Sequence, residues 1–209
     1  MRQLMIVSWL VVGCALAGCA TLSESQCLAS DWQTIGYRDG MNGTHQSQLL
    51  KHQNACVKHG VTPDRTAYME GWNTGVAQYC QPNNGFTVGE QGSAYPNVCP
   101  EALQSAYYAA YQDGRRLYLA QAEINNLQRA INDNLERLAH LTRDLSNTEA
   151  LLVEGDLTPV QRRELLDETK ALAREQGELE NQTQELRIDA AVKQERLRNL
   201  RIELAYATY

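Results

Sequence analysis

Apolar positions in the second half of the chain recur in alternating steps of three and four: Leu117, Ala120, Ile124, Leu127, Ile131, then Asn134, Leu138, Leu141, Leu145, Thr148 and Leu152. That alternation is the heptad of a coiled coil and predicts one long helix. The run Glu154-Gly155-Asp156-Leu157-Thr158-Pro159-Val160-Gln161 then breaks it. Gly155 stops the first helix. Thr158 with Gln161 makes a capping box, and Pro159 takes the first helical position of the next helix. In that second helix Leu165, Leu172, Leu179 and Leu186 stand seven apart, followed by Lys193 and Leu200. A weaker seam of Thr169, Gln176, Thr183, Ala190, Leu197 and Leu204 runs beside them. Two long amphipathic helices joined by a short turn must fold back on each other. An antiparallel coiled-coil hairpin is therefore expected over 101–209, with its turn near 154–159. Forty-odd residues in each helix give a rod of about 65 Å. Polar seam residues such as Gln176 set register or leave a seam for another helix. A spanning rod, a partner-binding rod and a dimerisation zipper all stay open.

The first half is patterned differently. Ten of the 14 glycines lie between Cys27 and Gly114, and Gly36-Gly40-Gly43 has the same spacing as Gly85-Gly89-Gly92. Gly71-Gly75 repeats the step of four. Such steps put glycines along one helical face. Each costs about 1 kcal/mol against alanine in a helix interior, so close approach of a neighbouring helix, with an aromatic ring in each gap, is expected to offset them. An aromatic-to-glycine unit recurs as Tyr37–Gly40, Tyr68–Gly71, Phe86–Gly89 and Tyr111–Gly114. Its intervals are irregular, which excludes a solenoid of fixed period. A phosphate cradle is disfavoured, because no buried strand and no Gly-x-Gly or Gly-Lys-Ser/Thr pattern accompanies the glycines. Helices are predicted from Asp31 to Met41, from Gln48 to His59 with Gly60 as stop, and from Thr62-Pro63 toward Tyr79. Gln81 to Phe86 reads as a loop, and a helix restarts at Pro100.

The chain opens with Arg2 and then runs apolar from Leu4 to Ala17, interrupted only by Ser8. That is the layout of a secretory signal and too short for a permanent span, which needs about 20 apolar residues. Leu16-Ala17-Gly18-Cys19 resembles the bacterial lipoprotein signal, in which cleavage precedes a cysteine that becomes acylated. Val11-Val12-Gly13-Cys14 is the poorer alternative, with a shorter apolar core. The resemblance implies a signal peptide over 1–18 and a lipid-anchored tether over 19–26. Membrane lipid is then held through acylated Cys19, palmitate being one such chain. Ala20 in place of an aspartate implies the outer membrane, on its periplasmic side.

Loss of 1–18 removes one arginine, leaving 18 basic residues against 25 acidic ones. An acidic chain gives no electrostatic reason to expect nucleic acid. Cys27, Cys56, Cys80 and Cys99 form an even set in an oxidising compartment and read as two disulfides. Antiparallel first head helices would bring Cys27 to Cys56, and Cys80 and Cys99 would bound one loop, so Cys27–Cys56 and Cys80–Cys99 are expected.

His52, Cys56 and His59 share one helix and are of metal-binding type. Cys56 is needed for a disulfide, however, and a fourth ligand is missing. Asp39, Glu70 and Asp113 would serve glycosidic cleavage only across a suitable cleft. No Gly-x-Ser-x-Gly motif occurs. No catalytic residue, metal or cofactor is therefore expected.

Asp31-Trp32, Gly36, Asp39-Gly40, Gly43, Cys56, His59-Gly60, Pro63-Asp64, Tyr68, Gly71, Gly75, Tyr79-Cys80, Gly89, Gly92, Tyr95 and Val98-Cys99-Pro100 together resemble a family of proteobacterial envelope lipoproteins catalogued as a domain of unknown function (DUF2799-like). The resemblance covers about residues 19–118. It implies a lipoprotein context and brings no catalytic residues.

The expected fold is all-α: a small disulfide-stapled, glycine-rich helical head over 27–100 and the hairpin over 101–209. The expected role is structural, an adaptor whose hairpin contacts another envelope protein, with self-association left open. A cell-wall glycan-binding head using Trp32, Tyr68, Trp72 and nearby acids is the alternative. A hydrolase comes third.

Overall fold

The computed structural model describes residues 21–207. The expected signal peptide, Cys14 and the acylation site Cys19 lie outside the described residues. Among the described residues the fold is all-helical: α1 (Glu24–Ala29), α2 (Trp32–Met41), α3 (Gln48–Cys56) continued by a 3-10 turn (Val57–His59), α4 (Arg65–Tyr79), α5 (Pro82–Glu90), α6 (Glu101–Glu154) and α7 (Pro159–Ala205). Among these residues no helix is long and apolar enough to cross a membrane. The chain divides into two compact units. One runs to Tyr79 and takes in Pro96–Pro100; the other joins Cys80–Tyr95 to Glu101 onward.

In the first unit the described part of the expected tether, from Thr21, is already structured. Leu22 is buried. Ser23 caps α1 by accepting from the Gln26 backbone, while the Gln26 side chain accepts from the Ser23 N–H at 2.8 Å. Satisfying two end donors reciprocally is what fixes so short a helix. Cys27 on α1 is disulfide-bonded to Cys56 at the end of α3, with Cα atoms 5.4 Å apart.

Asp31 caps α2 through the Thr34 N–H, and Gly60 ends the α3 segment in the left-handed region at φ 72°. α4 starts at Arg65 rather than at Pro63. The Asp64 carboxylate accepts the Ala67 N–H and supplies the cap there.

α2 and α4 form the centre of this unit. Gly36 faces the backbone of Tyr68 and Trp72, and Gly40 that of Trp72 and Val76. Gly71 faces the Gln33 carbonyl and Gly75 the Tyr37 carbonyl. Residue numbers rise together on the two helices, so they run parallel, with the α3 segment as the return. A methyl group at any of these four glycines would collide with the opposite main chain. Glycine is needed here for close backbone approach. The expected close approach of helices is present, but main chain rather than aromatic rings fills these gaps. Rings meet glycines elsewhere: Tyr79 lies over Gly43 and Tyr118 over Gly92, both in the left-handed region.

The second unit repeats the device. The segment from Gln81, expected as a loop, is α5 with Pro82 in its first turn. Gly85 and Gly89 face the Tyr107 and Tyr111 carbonyls, and Gly114 faces the Phe86 carbonyl. Thus α5 runs parallel to the start of α6, as α2 does to α4. The correspondence is residue by residue: Gly36, Gly40 and Gly43 match Gly85, Gly89 and Gly92. Tyr68, Gly75 and Tyr79 match Tyr107, Gly114 and Tyr118 at a second constant offset. The locks match as well. Trp72 donates its indole N–H to the Thr44 carbonyl at 2.8 Å, and Tyr111 its hydroxyl to the Ser93 carbonyl at 2.9 Å. The chain holds one two-helix module twice, with different return segments between the helices. Cys80 and Cys99, both disulfide-bonded, therefore bound a stretch containing a helix rather than a single loop. Residue 100 does not separate the glycine-rich part from the long helices.

Beyond the module, α6 packs along α7. Positions with low exposure on α7 alternate in steps of three and four and include both expected seams; the weaker one supplies the fully buried Thr183, Ala190, Leu197 and Leu204. On α6, Leu117, Ile124, Ile131, Leu141 and Thr148 are buried. Leu117, Ile124, Leu197 and Leu204 share one cluster. Ion pairs Arg116–Glu203, Glu123–Lys193 and Arg137–Glu175 link the helices, numbers falling on α7 as they rise on α6. Thr158 and Gln161 form the expected capping box of α7.

Candidate functional site

Four side chains from separate parts of the first unit meet in one polar cluster. Asp39 sits on α2 beside the glycine face, His52 on α3, Tyr68 on α4, and Thr21 ahead of α1. The Asp39 Oδ2 atom accepts from the Tyr68 hydroxyl at 2.8 Å and from His52 Nε2 at 2.7 Å. His52 Nδ1 lies 2.9 Å from the Thr21 hydroxyl. A carboxylate has no proton to give, so Nε2 donates to it, while Nδ1 shares a hydrogen bond with the Thr21 hydroxyl. Asp39, His52 and Tyr68 are all buried. Buried polar groups hold their place only when paired, and this network pairs each of them. In the second module Val88 stands at the position of Asp39, so the network belongs to the first copy alone.

Hydroxyl, imidazole and carboxylate in a row is the chemistry of an activated nucleophile. Here the imidazole is sealed in, and Tyr68 shares the carboxylate. None of the cavities described below is lined by any of the four residues. The arrangement holds Thr21 to the head. Sequence reasoning named Asp39, His52 and Tyr68 separately and missed Thr21. The signal available was a lone histidine in step with a buried cysteine, which marks an inward face.

The other candidates are drawn apart. Cys56 is consumed by its disulfide, and His59 lies 3.6 Å from Glu24. Among the described residues no three His, Cys, Asp or Glu groups converge as a metal would need. Asp113 pairs with Arg116 at 3.0 Å. Trp32, Tyr68 and Trp72 are buried, so these three rings offer no stacking surface to a glycan.

Among the described residues, two of the cavities and one apolar end are the other features to weigh. In the first unit a cavity of about 330 Å³ is lined by His45, Leu50, Gln53, Arg65 and Met69 among others. In the second a cavity of about 400 Å³ is lined by Tyr118, Gln121, Asn125, Asn126, Arg129 and Arg201 among others. Where α6 turns into α7, Leu151, Val153 and Val160 are 54%, 84% and 66% exposed.

Burial, then the hydrogen bond and charge of Asp39, push the Tyr68 phenol far above its ordinary range. An unfolded tyrosine loses its proton near pH 10, while folded Tyr68 keeps it. The unfolded state then binds fewer protons, so this contribution is complete below about pH 10 and falls as pH rises further. Thermal melts between pH 8 and 11 should show a steeper alkaline loss for the native chain than for Tyr68→Phe. Equal slopes would mean that Tyr68 is not held by Asp39.

Residues 31–116 match the family described as Protein of unknown function (DUF2799). The match begins at the cap of α2 and ends just past Gly114, spanning both modules and leaving α7 outside it. No curated protein and no solved structure matches the chain.

Proposed function

We propose that this chain, with its domain of unknown function, is a lipid-anchored protein of structural or adaptor type on the periplasmic side of the outer membrane. Cys19 carries the acyl anchor. α6 and α7 form an antiparallel coiled-coil rod whose turn contacts another envelope protein. A helix of 54 residues reaches about 80 Å, enough to carry a contact well away from its base. The observation that carries this reading is the apolar turn. The two helices bury their own seam, yet Leu151, Val153 and Val160 stay in solvent, where apolar side chains gain free energy only from a partner.

A photo-crosslinking residue at 153 or 160, introduced in the native envelope, should yield one discrete adduct with a second protein. Val153→Asp with Val160→Asp, crosslinked from position 157, should lose that adduct while circular dichroism stays unchanged. Adducts only between copies of this chain would replace the adaptor with a self-associating rod.

A second reading, glycan binding, draws its support from the second unit rather than from Trp32, Tyr68 and Trp72. The second unit's cavity sets the Tyr118 ring beside the amides of Gln121, Asn125 and Asn126 and two guanidiniums, a lining suited to hydroxyl-rich ligands. Chemical-shift or fluorescence titration with soluble cell-wall fragments, compared with Asn125→Leu, decides this reading.

A further inference from the structure

The chain beyond the anchor has no slack. Thr21 is hydrogen-bonded to His52, Leu22 is buried, and Cys27 is tied to Cys56. The hydrogen bond and the disulfide hold this stretch against α3. Thr21 stands two positions after Cys19, with only Ala20 between them, and two residues reach at most about 7 Å. On the lipid-anchored reading, on which this inference rests, the acyl chains leave within about one helix diameter, roughly 10 Å, of α3.

The outward side of that segment carries cations and no acid of its own. Gln48 to His59 contains no aspartate or glutamate. His52 and Cys56 turn inward, while Leu50, Lys51, Gln53, Asn54, Val57 and Lys58 are exposed. Leu50 and Val57, at 62% and 64% exposure, stand seven residues apart. Lys51 and Lys58 repeat that step beside them. The nearby cavity, bordered by Leu50, Gln53 and Arg65, adds a third cation to the same margin. Of the nearby acids, Glu24 on α1 pairs with His59 at the end of the segment, and Asp64 caps α4.

We infer that this face of α3 lies on the anionic bilayer surface, Leu50 and Val57 entering the headgroup boundary and Lys51, Lys58 and Arg65 meeting lipid phosphates. Apolar side chains next to cations on one helical face suit that boundary, and each cation near an anionic surface contributes about 1 kcal/mol. The short link to Cys19 supplies the proximity that so small a face lacks by itself. The buried polar cluster thereby gains a role: it sets the angle at which the head leaves the membrane.

The test uses full-length acylated protein in vesicles of phosphatidylethanolamine and phosphatidylglycerol. A photo-crosslinking residue replaces Leu50, Val57 or, as an exposed control on α7, Ile188. Mass spectrometry should find lipid adducts at 50 and 57 and not at 188. Lys51→Glu with Lys58→Glu should cut the labelling roughly tenfold. Acylated protein without adducts at 50 and 57, or with equal labelling at 188, overturns the inference alone. A Cys19 that carries no acyl group overturns the anchored reading and this face with it, and the same spectra show which has failed.

Discussion

Gly71→Ala is expected to destabilise the first unit by about 1–3 kcal/mol, the range of an overpacked core. Helix propensity alone would favour the change by about 1 kcal/mol. The new methyl group, however, would meet the carbonyl of Gln33, and a main-chain carbonyl in a packed helix cannot swing aside as a side chain does. α2 and α4 must separate, which loosens Trp72 from Thr44 and Tyr68 from Asp39 at the same time. Gly71→Leu should prevent the unit from folding. Gly177 on α7 is the control, since nothing lies within 4 Å of a methyl group placed there. Gly177→Ala should therefore stabilise the chain by about 1 kcal/mol. Denaturant melts followed by tryptophan fluorescence for the head and by circular dichroism for the long helices read the two signs separately. Stabilisation by both substitutions would show that α2 and α4 do not approach as described.

The second large effect is expected in α6. Leu141 is almost wholly buried, and truncating such a leucine to alanine costs about 2–5 kcal/mol. Leu141→Asp adds an unpaired carboxylate to a dry seam, a further penalty on the same scale. The loss should show as a drop in helical circular dichroism and a lower melting temperature. Leu135→Asp, at a position on the same helix that is already solvent-exposed, should change neither. The exposed ion pair Arg137–Glu175 cannot compensate, because such pairs contribute about 0–1 kcal/mol. An unchanged Leu141→Asp spectrum would mean that α6 does not rely on α7 for its helicity.

Legibility in the sequence followed the range of the interactions. The long helices could be read because their signal is periodic and local. Each step of three or four returns to the same face, and Thr158 with Gln161 marks a start within four residues. α5 was lost because Gln81 to Phe86 is rich in turn residues, whose local preference for loops is overridden only when α6 packs on Gly85 and Gly89. The aromatic-to-glycine unit was visible, but it was read in the wrong phase. It placed Tyr37 with Gly40, although Gly40 meets the backbone of α4. The duplication shows only when both helices of each pair are seen together, since the two return segments differ in length.

By itself the sequence determined the helical class, the seam positions of α6 and α7, the turn between them, the inward glycine faces, and the even set of cysteines in the first half. These rest on periodicity, capping chemistry and residue type, which act within a few residues. Only the tertiary structure decided that the glycine helices pair in parallel, that they do so twice, and that Thr21 closes a buried chain with His52, Asp39 and Tyr68. Those choices depend on which backbones approach within contact and which buried polar groups find partners. No stretch of the chain carries that information before distant segments meet.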